Sequence, residues 1–79
     1  MLKIKDNVDL KELKKFGFYF DYIVDQNVYR KIKSIEKGKT KQTCEYIIWE
    51  DRSIDIYSRD GFLDDTLYDL IQVGLVEKV

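Results

Sequence analysis

Apolar residues fall into the stripe of a short helix twice in this chain. Leu10-x-x-Leu13-x-x-Phe16 is closed by Gly17-Phe18, and Leu67-x-x-Leu70-x-x-Val73 is closed by Gly74-Leu75. Each pattern predicts one amphipathic helix stopped by glycine and followed at once by an apolar strand. Asp9 is the predicted N-cap of the first helix, with Glu12 completing a capping box and Val8 stapled to Leu13. Asp64 caps the second, with Leu63 stapled to Tyr68 and Asp65 at the positive end of the helix dipole. Leu67, Leu70 and Ile71 form its expected buried stripe.

Between and around the helices the period changes to two. Leu2 and Ile4 alternate with Lys3 and Lys5, which predicts a short first strand. Phe18, Phe20, Tyr22 and Val24 alternate with Tyr19, Asp21 and Ile23, which predicts a strand with an aromatic inner face. Asp25-Gln26-Asn27 reads as a turn. Residues 28–37 fit either an irregular strand or a helix ending at Gly38, and the β-branched residues favour the strand. Gly38-Lys39-Thr40-Lys41 is then a basic hairpin tip. Thr43 to Glu50 is apolar on both parities, as a central strand covered on two sides would be. Ile54 and Ile56 mark a further strand, after a turn at Asp51-Arg52-Ser53 and ending near Asp60-Gly61. Leu75 to Val79 makes the last, and the two end strands should meet. The pattern predicts one α+β domain over residues 1–79, a small antiparallel β-meander with two short helices, in the order β-α-β-β-β-β-α-β.

The length of 79 residues leaves a small core, and an aromatic content of 14% compensates for it. No run of apolar residues is long enough to span a bilayer, the start lacks a signal-peptide pattern, and the single Cys44 has no disulfide partner. These features favour a cytoplasmic protein with no membrane association. The net charge of −1 hides an asymmetry. Residues 1–44 hold eleven Lys or Arg against six Asp or Glu, whereas residues 45–79 hold three against nine. Such poles can steer a charged partner or pair with each other across adjacent strands.

The residue inventory argues against an enzyme. There is no histidine, so Cys44 has no base to activate it and the commonest zinc ligand is missing. Adjacent Asp64 and Asp65 point in different directions on a helix, and no phosphate loop, calcium loop or metal-ligand cluster appears. The expectation is no catalytic residue, no metal and no cofactor. Acidic Asp64, Asp65 and Asp69 also rule out the second helix as a winged-helix reader of phosphate-rich DNA.

Two binding surfaces are left. Tyr29, Arg30, Lys31, Lys33, Lys37, Lys39 and Lys41 could contact nucleic acid as a β-ribbon with a stacking tyrosine. The same lysines would equally blunt a sheet edge against aggregation, and the acidic pI of about 5.4 favours that role. Tyr19, Tyr46, Trp49 and Tyr57 are candidate protein contacts, since Tyr and Trp bury much area with few rotors to freeze.

The ends of the chain carry a resemblance. Leu2-Lys3-Ile4-Lys5-Asp6-x-Val8-Asp9-Leu10-x-x-Leu13-x-x-Phe16-Gly17-Phe18 and the closing run Asp65 to Val79 resemble small uncharacterised proteins encoded by phages and prophages of low-GC Gram-positive bacteria. That resemblance implies an accessory gene of a mobile element and brings no catalytic or binding residue with it. The expected function is a non-enzymatic protein-interaction module, with a protein partner or self-association. The alternatives are a nucleic-acid binder using the basic hairpin and an inhibitor of a host or defence protein acting through an acidic surface.

Overall fold

The computed structural model describes residues 1–58 and 61–79. It contains β1 (Leu2–Ile4), a 3₁₀ helix (Leu10–Phe16), β2 (Tyr19–Ile23), β3 (Gln26–Lys37), β4 (Thr40–Ile48), β5 (Ile54–Ser58), α1 (Thr66–Gln72) and β6 (Val76–Lys78). The predicted α+β order is observed. Strands β2-β3-β4-β5 form an antiparallel meander, and β1 pairs with β6 in a second, two-stranded sheet. Residues 28–37 are strand throughout. The predicted end of β5 near Asp60-Gly61 falls partly outside the described residues, and the strand is described to Ser58. Among the described residues no helix is long and apolar enough to cross a membrane.

The two glycine stops are structural twins. In the first, Gly17 N donates to Lys14 O at 3.1 Å and Phe18 N to Leu13 O at 3.2 Å. In the second, Gly74 N donates to Ile71 O at 3.0 Å and Leu75 N to Leu70 O at 3.1 Å. This is the paired bonding of a Schellman ending, with φ of 89° at Gly17 and 80° at Gly74. Leu13 and Leu70, the residues whose carbonyls close these motifs, are fully buried. The repeated pattern therefore seats two equivalent leucines in one core, although the first helix winds as 3₁₀ and the second as α.

That core lies between the helices and one face of the meander. It joins Ile4, Leu13, Phe18, Cys44, Tyr46, Ile48 and Leu70, with Phe18 edge-on to Tyr46 at a centroid distance of 6.4 Å. Its polar element is a chain of donors. Lys31 Nζ donates to Thr66 Oγ1 at 2.7 Å, Thr66 Oγ1 to Asp64 Oδ2 at 2.8 Å, and Tyr46 OH to Asp64 Oδ1 at 2.6 Å. Asp64 Oδ1 also accepts from Thr66 N at 3.0 Å, so this carboxylate, one residue before the N-cap Asp65, ties the start of α1 to β4. Burial alone pushes the Asp64 carboxyl up, but hydrogen bonds from Tyr46 and Thr66 outweigh it and hold it below its ordinary 3.8. Burial first, and then Asp64, push the Tyr46 hydroxyl above its ordinary 10.0.

Arg52 fastens the ends to the meander. Its guanidinium donates to Lys5 O at 2.8 Å and Val8 O at 2.7 Å, and its own carbonyl accepts from Ile4 N at 2.9 Å. The predicted meeting of the end strands follows, in the register Leu2 with Lys78 through Ile4 with Val76.

Several local expectations are corrected. The β2–β3 turn is Val24-Asp25, not Asp25-Gln26-Asn27: both residues have positive φ, and Ile23 pairs directly with Gln26. The β3–β4 tip narrows to Gly38-Lys39, because Lys37 pairs with Thr40. Phe20, Tyr22 and Val24 are exposed rather than inside, because two seven-residue helices cannot cover the full sheet. Ile71 is exposed and lies outside the α1 stripe, which is limited to Leu67 and Leu70. Leu63 and Tyr68 are both exposed, so no buried staple forms, and the N-cap of α1 is Asp65 rather than the expected Asp64, whose carboxylate instead accepts from Thr66 N just inside the helix. Asp9 does cap the first helix, accepting from Lys11 N at 3.0 Å.

Gly17→Ala and Gly74→Ala should each lower stability by about 1 kcal/mol, a matched drop in urea midpoint, because both force a side chain into positive φ. At Gly17 the new Cβ also meets Lys31 Cε at 3.2 Å, which the flexible stem can relieve. Tyr46→Phe should cost about 2 kcal/mol near neutrality, since it removes a hydrogen bond to an ionised, partly buried carboxylate and leaves it only those from Thr66. The pH signs are opposite for the two partners. Lowered Asp64 stabilises the fold above 3.8 and loses that contribution as pH falls through its folded value. Raised Tyr46 stabilises it below 10.0 and loses that contribution as pH rises toward its folded value. Urea titrations of wild type and variant at pH 7 and in acid should show the cost of Tyr46→Phe shrinking in acid.

Candidate interaction surface

Directly paired residues in a ladder point to one side of the sheet. The helix-covered side therefore carries Phe20, Tyr29, Lys31, Tyr46 and Ile56. The opposite side carries Tyr19, Asp21, Val28, Arg30, Ile32, Glu45, Ile47, Asp55 and Tyr57, and no helix lies on it. One step beyond the ladder, Trp49 joins this open face and donates from Nε1 to Asp55 Oδ2 at 2.7 Å.

The open face has a small apolar centre of its own. Val28 and Ile47 are buried there, flanked by Trp49 and by exposed Tyr19, Ile32 and Tyr57. Its electrostatics turn on Arg30. The guanidinium donates to Asp21 Oδ2 at 2.8 Å and through Nε to Glu45 Oε1 at 2.9 Å, bridging three strands. Asp21 and then Glu45 hold Arg30 firmly in its charged form, and Arg30 draws the Asp21 carboxyl below its ordinary value. The Asp55 carboxylate, only two residues away, raises the Tyr57 hydroxyl. This surface offers tyrosine and tryptophan edges over a polar strip in which one arginine faces three carboxylates, so the strip is net acidic. It offers donors, acceptors and apolar area.

The predicted protein contacts divide. Tyr19, Trp49 and Tyr57 share the open face. Tyr46 does not reach a surface: its even position in β4 turns it into the core, where it is fully buried and bonded to Asp64. It is withdrawn as a contact.

The predicted nucleic-acid contacts divide as well. Tyr29 is half-buried and edge-on to Phe20, with centroids 5.8 Å apart. Arg30 is engaged by two carboxylates, and Lys31 by Thr66. Lys33 and Lys37 lie on the helix side of the hairpin, Lys41 lies on the open side opposite Glu36, and Lys39 sits in the turn. The exposed lysines thus surround the hairpin end instead of lining one face.

Sequence reasoning placed the strand β2 and named Tyr19, but missed that Phe20 and Tyr22 lie exposed. Tyr19, Phe20 and Tyr22 are 43%, 55% and 59% exposed on an edge strand of the sheet, and Val24 in the turn that follows is 77% exposed. The available signal was length: a twelve-residue β3 outruns seven-residue helices. Among the described residues no group of three or more Cys, Asp or Glu side chains is placed to hold a metal ion. Cys44 is buried, as its strand position implied.

These features define a small α+β domain with one helix-covered and one open sheet face. Comparison with protein-family models, with characterised proteins and with solved structures finds no match.

Arg30→Gln should let Asp21 titrate closer to its ordinary 3.8, because the charged partner that lowers it is gone. Carboxylate-detected NMR titration reads this directly, and an unchanged Asp21 would refute the ion-pair geometry.

Proposed function

We propose that this chain is a non-enzymatic protein-interaction module that binds through β2 and the open sheet face beside it. The observation that carries the reading is three large aromatic side chains, Tyr19, Phe20 and Tyr22, exposed within one outer strand. A core this small gains most by burying its aromatics, so leaving these outside points to a surface that is covered by something else. Tyrosines suit that role because they offer apolar area and a polar tip with little entropy to lose. The resemblance of the chain ends to phage and prophage proteins supplies the setting, a host protein met in the cytoplasm. The hairpin lysines serve in this reading to guard an edge, and the acidic residues to keep the protein dispersed.

Capture from a lysate of a low-GC Gram-positive host, with and without nuclease, tests the reading. The same proteins should be retained in both, and lost from a Tyr19→Ala, Tyr57→Ala variant that melts within a few degrees of wild type. Retention of nucleic acid, or loss of every bound protein after nuclease, would overturn it in favour of the basic hairpin.

A further inference from the structure

We propose that β2 is a homotypic docking strand, along which a second copy of this chain pairs antiparallel to join two four-stranded sheets into one. The proposal rests on the interaction-module reading and names one partner for the same surface.

The first support is the state of the edge. The two-residue turn closes at the Ile23–Gln26 pair, so ladder alternation directs the backbone N–H and C=O of Phe20 and Tyr22 away from β3. Among the described residues no backbone group pairs with them. Tyr22 N is met only by the neighbouring Asp21 Oδ1, at 2.8 Å, a local bond that a pairing strand can replace.

The second support is a contrast along the same border. β2 pairs with β3 only as far as Arg30, so the border continues along Lys31 to Lys37. That upper stretch carries exposed Lys33 and Lys37, the charges with which sheet edges resist pairing. β2 carries no cation, and its single carboxylate is tied to Arg30. On the far side of the sheet the start of β5 is bridged by β1, Lys3 to Ser53. Along this border the projecting part of β3 is guarded by lysines and β2 is bare.

The third support is charge. The hairpin end carries Lys33, Lys37, Lys39 and Lys41, whereas the opposite end, at the β2–β3 and β4–β5 turns, carries Asp25, Glu50 and Asp51. Arg52 at that acidic end is turned inward onto two carbonyls. Antiparallel pairing reverses the second copy end for end, so each acidic end lies beside the lysine end of the other. Parallel pairing would set like against like. Two-fold symmetry leaves a choice of register, and one centred on Asp21 opposes two carboxylates. Centring on Phe20 sets Phe20 against Phe20 and Tyr19 across from Asp21.

Sedimentation equilibrium of the intact chain tests this. The expected result is a dimer whose Kd rises about tenfold from low to high salt as the end-to-end attraction is screened. Phe20→Lys and Tyr22→Lys should each give monomers with an unchanged far-UV circular dichroism spectrum; the second variant guards against misfolding of the first. Under oxidation Phe20→Cys should form an intermolecular disulfide in the folded protein, because the paired Cα atoms would lie about 5.5 Å apart. A wild type that stays monomeric at every concentration overturns the proposal, as does a dimer that survives both lysine variants. A monomer that still captures host proteins through Tyr19 and Tyr57 defeats the pairing alone. A dimer that captures none upholds the pairing and removes the host partner.

Discussion

A hydroxyl buried at the centre of a small core has to be satisfied, and in this protein that requirement organises the rest. Tyr46 stands on the central strand β4 with no exposed surface, and its hydroxyl reaches Asp64. Leaving such a group without a partner would consume a large share of the few kilocalories that hold a domain of this size together. Asp64 resolves this while it also accepts from Thr66 at the start of α1, and Lys31 closes the chain from β3. One carboxylate thus fixes where the second helix begins, how it lies on the sheet and which face of β4 is inside. The aromatic ring contributes separately, by its edge contact with Phe18 at the exit of the first helix.

The second constraint is one of length. At about 1.5 Å per residue in an α-helix and about 2 Å in a 3₁₀ helix, seven residues reach only about 10–14 Å. A twelve-residue strand reaches about 40 Å at about 3.3 Å per residue. The helices therefore shelter only part of one face, and the sheet projects beyond them in two directions. Toward the hairpin end the projecting residues are mainly lysines, and along β2 they are aromatic. The same geometric shortfall meets two different chemistries, lysines at one end and aromatic side chains along β2.

How much of this was legible in the sequence depended on range. The first helix's cap and the glycine stops were legible because they are set within six residues: Asp9 with Lys11, Leu13 with Phe18, Leu70 with Leu75. Strand order was legible because a meander joins neighbours through short turns. Alternation in β2 gave the correct parity, since Phe18 and Phe20 do share a side, but parity carries no information on how far cover extends. The β2–β3 turn was misplaced because Val24, a β-branched residue, occupies a positive φ of 49° where Asn or Gly would announce the turn. The roles of Arg30 and Arg52 were illegible for another reason. Their partners lie nine to forty-seven residues away, and nothing local marks an arginine as bound.

The joining of β1 to β6 has a topological consequence. Met1 O accepts from Val79 N at 2.8 Å, so the described chain is nearly a closed ring. Any polypeptide attached at either end leaves from the same corner of the molecule. That corner lies on the β5 side, where Lys3 bridges to Ser53, with the whole width of the meander between it and β2. Extensions, tags or neighbouring domains at both ends would therefore share one exit and leave the aromatic border open. Cutting the ring at Gly38-Lys39 instead would preserve every ladder pair while moving the free ends to the lysine pole.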